Sequence, residues 1–346
     1  MLGLTTFTLG ANDTEASIAV DINAHGQIAG IIEEENGRQR AILYDKRPME
    51  LGTLGGSDSY TKDINEAGDV VGTAQDASGH WRAFLVRAGG EMRDLGTLGG
   101  NSSYGAAVNN AGQVVGFADT SDGYFRAFSS DGEHAAVDLG TLGGKISYAA
   151  GINNHGAIVG TAALADGYRR AFLYQPETGM RELGTLGGRS SAASAINDHG
   201  VVVGASETPE RRWHAFAWHQ GKMTDLGALI GYGDSFATAV NHAGHVVGSI
   251  RIGDERRSFV YRDGKMTVHP GGYGLYLVNA INADEQVIGA QYAGKKFTAS
   301  TMKSSQPAVV THGAQDLLSI IGIVVTGAVC VMLYRRRYRG IRLRAA

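Results

Sequence analysis

Cysteine and proline are what this chain has least of: one Cys and five Pro in 346 residues. A single thiol, Cys330, excludes an intrachain disulfide and any cysteine-based zinc cluster. So little proline excludes collagen and a Pro/Gly-rich linker. Charge of one sign is missing too. Lys and Arg number 31 against 34 Asp and Glu, a net of −3 that gives no global reason to expect nucleic acid as a partner. The chain also lacks a Gly-x-Ser-x-Gly elbow, a Walker-type loop and a His-x-x-x-His pair. No cofactor, metal or catalytic set is implied, although paired carboxylates could still meet across distant parts of a ring.

What is present in excess is glycine, 51 residues, where about 7% of a chain is usual. The glycines fall into a repeat. Ile/Val-Asn followed by a Val-Val-Gly-like end recurs with its asparagines at 23, 65, 109, 153, 197, 241 and 282, spaced 42, 44, 44, 44, 44 and 41. Arg-Ala-Phe stands at 82–84, 126–128 and 170–172, with variants at 40–42, 214–216 and 257–259. Leu-Gly-Thr-Leu-Gly-Gly begins at Leu51, Leu95, Leu139 and Leu183 and decays at Leu226. Each period holds four segments of four to six residues, rich in β-branched and aromatic side chains and divided by turn residues. Four strands in about 44 residues is the economy of a propeller blade.

The predicted fold is therefore all-β, a seven-bladed propeller of four-stranded blades over residues 1–302. The seventh copy stops after its third segment near Lys296-Phe297, while Thr8-Leu9-Gly10 echoes Thr53-Leu54-Gly55. An N-terminal strand is thus expected to complete the last blade and close the ring, leaving no edge to template aggregation.

The chain is similar, at the Asn turns, the Arg-Ala-Phe blocks and His214-Ala215-Phe216, to the bacterial HAF repeat family of "probable extracellular repeat" proteins. The resemblance covers residues 1–300. It implies an exported, surface or envelope protein, often with a C-terminal membrane-sorting tail, and carries no catalytic residues.

The repeated asparagines read as turn residues that accept backbone hydrogen bonds, with the next Gly supplying positive φ. Gly is absent from Asn282-Ala283-Asp284-Glu285, so that turn is expected to differ. The basic series Arg40, Arg82, Arg126, Arg170, His214 and Arg257 tracks an acidic one, Glu50, Asp94, Asp138, Glu182 and Asp225. Symmetry about the hairpin turns places them directly opposite as ion pairs, each exposed pair adding about 0.2–1 kcal/mol. Trp81, Phe125 and Trp213 share one phase, with Tyr124 and Tyr168 beside them, near the least uniform loop of the unit. Such aromatics suit a carbohydrate or peptide ligand, or packing between blades. Asp119 to Gly123 reads as an Asp-Gly hairpin turn, and His155, His199 and His242 sit in turns where they should be solvated.

After a linker over 303–316, Leu317 to Leu333 is a run of 17 residues without charge. It is long enough for about 26 Å of helix. Tyr334 follows at an interface position, then Arg335, Arg336, Arg337 and three more arginines. Residues 317–334 are expected to anchor the protein in membrane lipid, with the tail 335–346 cytoplasmic and the ring across the membrane. Residues 1–13 show neither a basic start nor a long apolar core, so no export signal is visible there. Three readings stand: a binding or structural module of the bacterial envelope, an envelope enzyme acting on polysaccharide at one propeller face, or a surface protein sorted and released by C-terminal cleavage.

Overall fold

The computed structural model describes residues 5–6, 9, 15–253, 255–269, 275–293 and 296–303. They form seven antiparallel sheets of four strands each, with one 3-10 turn at Gly227–Leu229. Blade 1 spans 16–50, blade 2 spans 55–94, blade 3 spans 99–138 and blade 4 spans 143–182. Blades 5 and 6 span 191–225 and 234–269, and blade 7 takes 277–303 together with Thr5–Thr6. First strands of successive blades touch one another all the way round, blade 7 to blade 1 included, so they line the axis. The Asn turns lie at one end of the ring, here the turn face. The loops between second and third strands lie at the other, the loop face.

Closure is as expected. Thr5 pairs with Thr301 and Thr6 with Ser300. Leu9 is fully buried among Ala19, Ile28 and Ile42 of blade 1 and Ala280, Ile288 and Ala299 of blade 7. The anchor residues Leu317, Leu333, Tyr334, Arg335, Arg336 and Arg337 lie outside the described residues. Among the described residues no helix is long and apolar enough to cross a membrane.

The Val-Val-Gly strands are apolar on both sides because each sheet is covered by a blade on either face. Val70 and Val71 are both wholly buried, in different interblade clusters. The glycine has a second cause. Every first strand carries a one-residue register shift opposite it, as between Thr61 and Asp63 or between Ala149 and Gly151. The bulge pushes the Tyr148 carbonyl into the space a Cβ at Gly160 would occupy, and the Phe172 ring lies 2.9 Å from it on the other side.

The asparagines do more than stabilise their own turns. Each Oδ1 accepts the backbone N–H four residues on, as from Asp69 to Asn65 (2.8 Å) and from Ala157 to Asn153 (3.0 Å). Each Nδ2 donates to the carbonyl of the next blade's asparagine: 23 to 65, 65 to 109, 109 to 153, 153 to 197, 197 to 241 and 241 to 282. Asn282 then donates to the Asn23 carbonyl at 3.4 Å, and the circuit closes. Serines make a second set of ties. Ser59, Ser103, Ser147, Ser191 and Ser235 accept the N–H of Ala41, Ala83, Ala127, Ala171 and Ala215 in the blade before, and Ser17 accepts that of Ala299.

Two sequence expectations are corrected. The seventh turn keeps the geometry of the others: Glu285 takes φ +61° where the other turns use Gly, and Asn282 still accepts the Gln286 N–H at 2.9 Å. Contacts of the Glu285 carboxylate with Arg262 (3.1 Å) and His245 (3.2 Å) help hold this otherwise unfavourable conformation. The basic and acidic series are not directly opposite. Phe84 faces Asp94, Phe128 faces Asp138 and Phe172 faces Glu182, so each pair meets diagonally, Arg82–Asp94 at 3.9 Å and Arg126–Asp138 at 3.8 Å. Arg40 pairs with Glu34 at 3.2 Å and Arg257 with Glu255 at 2.6 Å. Arg40, Arg126 and Arg170 also donate to the carbonyls of Ser57, Lys145 and Arg189, where the chain enters the next blade.

Candidate functional site

Aromatic side chains at the start of third strands in blades 2, 3 and 5 pack on first strands at the loop face. Trp81 lies on Tyr60, ring centres 5.4 Å apart. Phe125 meets Tyr104 at 6.0 Å, Phe117 at 5.6 Å and Tyr148 at 6.2 Å. Trp213 stacks on Phe236 of the next blade at 6.4 Å. These three are half-buried and spread over blades 2, 3 and 5, so they form no single site. Tyr124 and Tyr168 differ. Lys145 sits 4.7 Å over the Tyr124 ring and donates to its hydroxyl at 2.8 Å. Arg189 repeats this one blade later, 5.3 Å over Tyr168, which is 36% exposed. The predicted turn at Asp119–Gly123 is a plain hairpin, with Gly123 N–H donating to the Thr120 carbonyl.

A more exposed aromatic cluster was not read from the sequence. Tyr276, Tyr292 and Phe297 of blade 7 form a triad with ring centres 5.1–5.9 Å apart. Phe297 is buried, whereas Tyr276 and Tyr292 are 41% and 40% exposed. Beneath them Phe297 continues through Leu277, Ile18, Ile31 and Tyr60 towards Trp81, one buried apolar cluster across blades 7, 1 and 2. Phe297 occupies the phase of Trp81, but the surrounding motif has decayed and hides the match.

Lys62 stands in this region with its Nζ 5.6 Å from the Tyr60 ring centre. Its counterparts on the other first strands are Val20, Ala106, Ala150, Ser194, Thr238 and Asn279. Burial pushes the Lys62 ammonium down to about 8 and the Tyr60 phenol up. The lone basic residue in that column was the sequence signal for it.

Two carboxylates mark the bulge position of blades 1 and 2, where the other blades carry Ala or Gly. The Ile64 N–H donates to Asp21 at 3.1 Å and to Asp63 at 3.0 Å, and the Val108 N–H donates to Asp63 at 2.7 Å. Burial first, then the Asp21 charge, raises the Asp63 carboxyl well above the usual range against the pull of those N–H groups. A raised folded-state value means that the folded protein holds this proton more tightly than the unfolded chain. The associated stability is present below about pH 4 and is lost as the pH rises through the raised value. Asp21→Asn removes the like charge and keeps an oxygen for the Ile64 N–H. Its melting temperature should gain on that of the native protein as the pH climbs from about 4 to 7. A difference that stays flat across that range would refute the coupling.

At the turn face the residues after the asparagines link successive blades. Glu66, Asn110, Asn154 and Asp198 accept the N–H of Ala24, Glu66, Asn110 and Asn154. His25 lies 3.5 Å from Glu66. His199 and His242 bring their Nε2 atoms within 3.1 Å. Partial burial raises the Asp198 carboxyl, but hydrogen bonds from Asn154, with His155 and His242 nearby, outweigh it and hold the group below its usual range. Among the described residues, no three His, Cys, Asp or Glu side chains gather into a metal site.

No protein-family model matches the sequence, and no curated protein matches it. Solved structures do. The β-propeller domain of the Trilobed protease from Pyrococcus furiosus aligns with TM-score 0.58 at 8% identity, covering 83% of this chain and 95% of that one. The BP39L lectin from Burkholderia pseudomallei aligns with TM-score 0.50 at 9% identity, covering 84% and 96%. TolB from Acinetobacter baumannii aligns with TM-score 0.47 at 12% identity over 85% of this chain. The chain spans 65% of TolB and between 50% and 54% of four matching peptidase chains. The likenesses to the protease domain and to the lectin show the propeller fold.

Proposed function

We propose that the ring is a binding module whose ligand docks at the loop face on Tyr276 and Tyr292. The observation that carries this reading is where the repeat breaks. The asparagines of all seven blades and the serines of six are consumed in holding blades together, and the Val-Val-Gly glycines in fitting the bulge of the neighbouring strand. The half-exposed tyrosine pair belongs to blade 7 alone, above the buried cluster that runs towards Trp81. Flat aromatic faces with hydroxyls at their rims suit the apolar faces of sugar rings, and a lectin built on the same architecture is compatible with a carbohydrate ligand. Tyr124 and Tyr168, each under a cation, offer further contacts for a ligand bearing acidic groups. The test is a glycan and peptide array probed with the purified protein and with Tyr276→Ala/Tyr292→Ala. Glycan binding lost in the variant supports the reading, and binding indifferent to both tyrosines overturns it. A polysaccharide-cleaving enzyme is the second reading, favoured by two carboxylates set side by side, Asp21 and Asp63 sharing the Ile64 N–H, with Asp63 pushed above its usual range. Turnover abolished by Asp63→Asn would select it.

We further propose that the protein belongs with the HAF repeat proteins and is held in the bacterial envelope by residues 317–334, with the ring extracytoplasmic. The charge-free run followed by six arginines supports this orientation. A reporter fused after Ala346 reads it: cytoplasmic activity agrees, and periplasmic activity contradicts it.

A further inference from the structure

On the turn face, remote from the proposed ligand surface, we infer that His199 and His242 form a binding site for a divalent cation of the Zn2+, Ni2+ or Cu2+ class. Their Nε2 atoms face each other across the boundary of blades 5 and 6 at 3.1 Å, ring centres 4.3 Å apart and planes inclined by 50°. Two imidazole nitrogens bound to one tetrahedral ion at about 2.0–2.1 Å lie about 3.3 Å apart. The observed spacing is therefore close to that of a chelating pair, and the rings need only part slightly to admit the ion. Imidazole nitrogen selects borderline metals over Ca2+ and Mg2+, which require oxygen.

The pair is held in place before any ion arrives. His199 follows Asn197 by two residues and His242 follows Asn241 directly. Asn197 Nδ2 donates to the Asn241 carbonyl at 2.9 Å, bolting one turn to the other. Within the turns, Asn197 accepts the Val201 N–H at 3.0 Å and Asn241 accepts the His245 N–H at 2.9 Å. Little backbone freedom remains to be lost on binding. Asp198, next to His199 in the chain, is held by the Asn154 backbone N–H and side-chain amide at 2.9 Å, and its carboxylate stands on the same turn as the pair. Both histidines are exposed, so water completes the coordination and leaves open positions. The corresponding blade contacts elsewhere lack a second histidine: His25 meets Glu66, His155 lies by Asp198, and Ala111 occupies the position of His199 in blade 3.

Calorimetric titration of the full chain with ZnCl2 and NiCl2 tests the site. One equivalent should bind, and the metal should raise the melting temperature. Losing even a hydrogen-bond partner of a metal ligand costs about 10–100-fold in affinity, so His199→Ala and His242→Ala should each weaken binding at least about tenfold. Metal-free melting temperatures equal to the native value confirm folding, and His242→Gln, which keeps a polar side chain, should lose binding equally. His134→Ala, on an exposed pair with Asp131, should bind like the native chain. Absence of uptake by the native chain overturns the inference, as does uptake that survives either histidine substitution.

Discussion

Removing residues 2–10 lowers the melting temperature of the whole ring in one transition. Three observed contacts lie behind this expectation: Thr5 on Thr301, Thr6 on Ser300, and Leu9 fully buried between blades 7 and 1. Gly30 shows how closely Leu9 fits, since a Cβ there would collide with the leucine's Cδ1. Leu9→Ala alone should cost about 2–5 kcal/mol, the range for truncating a buried leucine. The deletion should cost more, because it also strips the outer strand from blade 7 and uncovers that edge. The loss is shared around the ring because the seven-asparagine circuit includes the bond from Asn282 back to Asn23. Calorimetry or circular dichroism on the native, Leu9→Ala and truncated chains checks this. An unchanged midpoint, or a separate early transition confined to a fraction of the signal, would show that blade 7 is not coupled to the rest.

Gly160→Ala is expected to destabilise by about 1–3 kcal/mol or more, the cost of forcing atoms into a packed core. The added methyl overlaps the Tyr148 carbonyl and presses on Phe172. Neither neighbour can yield easily: the carbonyl belongs to the bulge of the first strand, and Phe172 is fully buried. Gly123→Ala is the informative partner. It has φ +79° but open space where the methyl would go, so it should cost only the left-handed penalty of about 1–2 kcal/mol. Urea unfolding of the two variants separates the causes. Gly160 has no positive φ, so a Gly160→Ala chain as stable as the native one would mean that the close approach at the bulge does not matter.

The ring was legible because its repeat is written in residue types that each do a local job. Seven asparagines at near-constant spacing count the blades, and an echo of the fourth segment at Thr8-Leu9-Gly10 announces closure. Local reasoning failed where two blades meet. The arginines looked like partners of the acids within their own hairpins. A register two residues away from the symmetric one sets Phe84, not Arg82, opposite Asp94 and leaves Arg126 free to reach Lys145 of the next blade. Likewise, a missing glycine at Glu285 promised a different turn, yet the Asn circuit imposes the common one at the expense of a positive φ.

The candidate sites show the same division more sharply. Sequence phase selected Trp81, Phe125 and Trp213, and most of what they do is pack on the first strands. Tyr276 and Tyr292 were passed over because blade 7 has lost the motif that would have aligned them. His199 and His242 stand 43 residues apart with nothing local to connect them. By itself, the sequence determined the number of blades, the place of every turn and the need for glycine, since these follow from backbone conformation and short-range hydrogen bonding. Only the tertiary structure decided which side chains of different blades share a boundary. Those pairings depend on strand register and on the curvature that brings residue 282 back to residue 23, and no short stretch of chain records either.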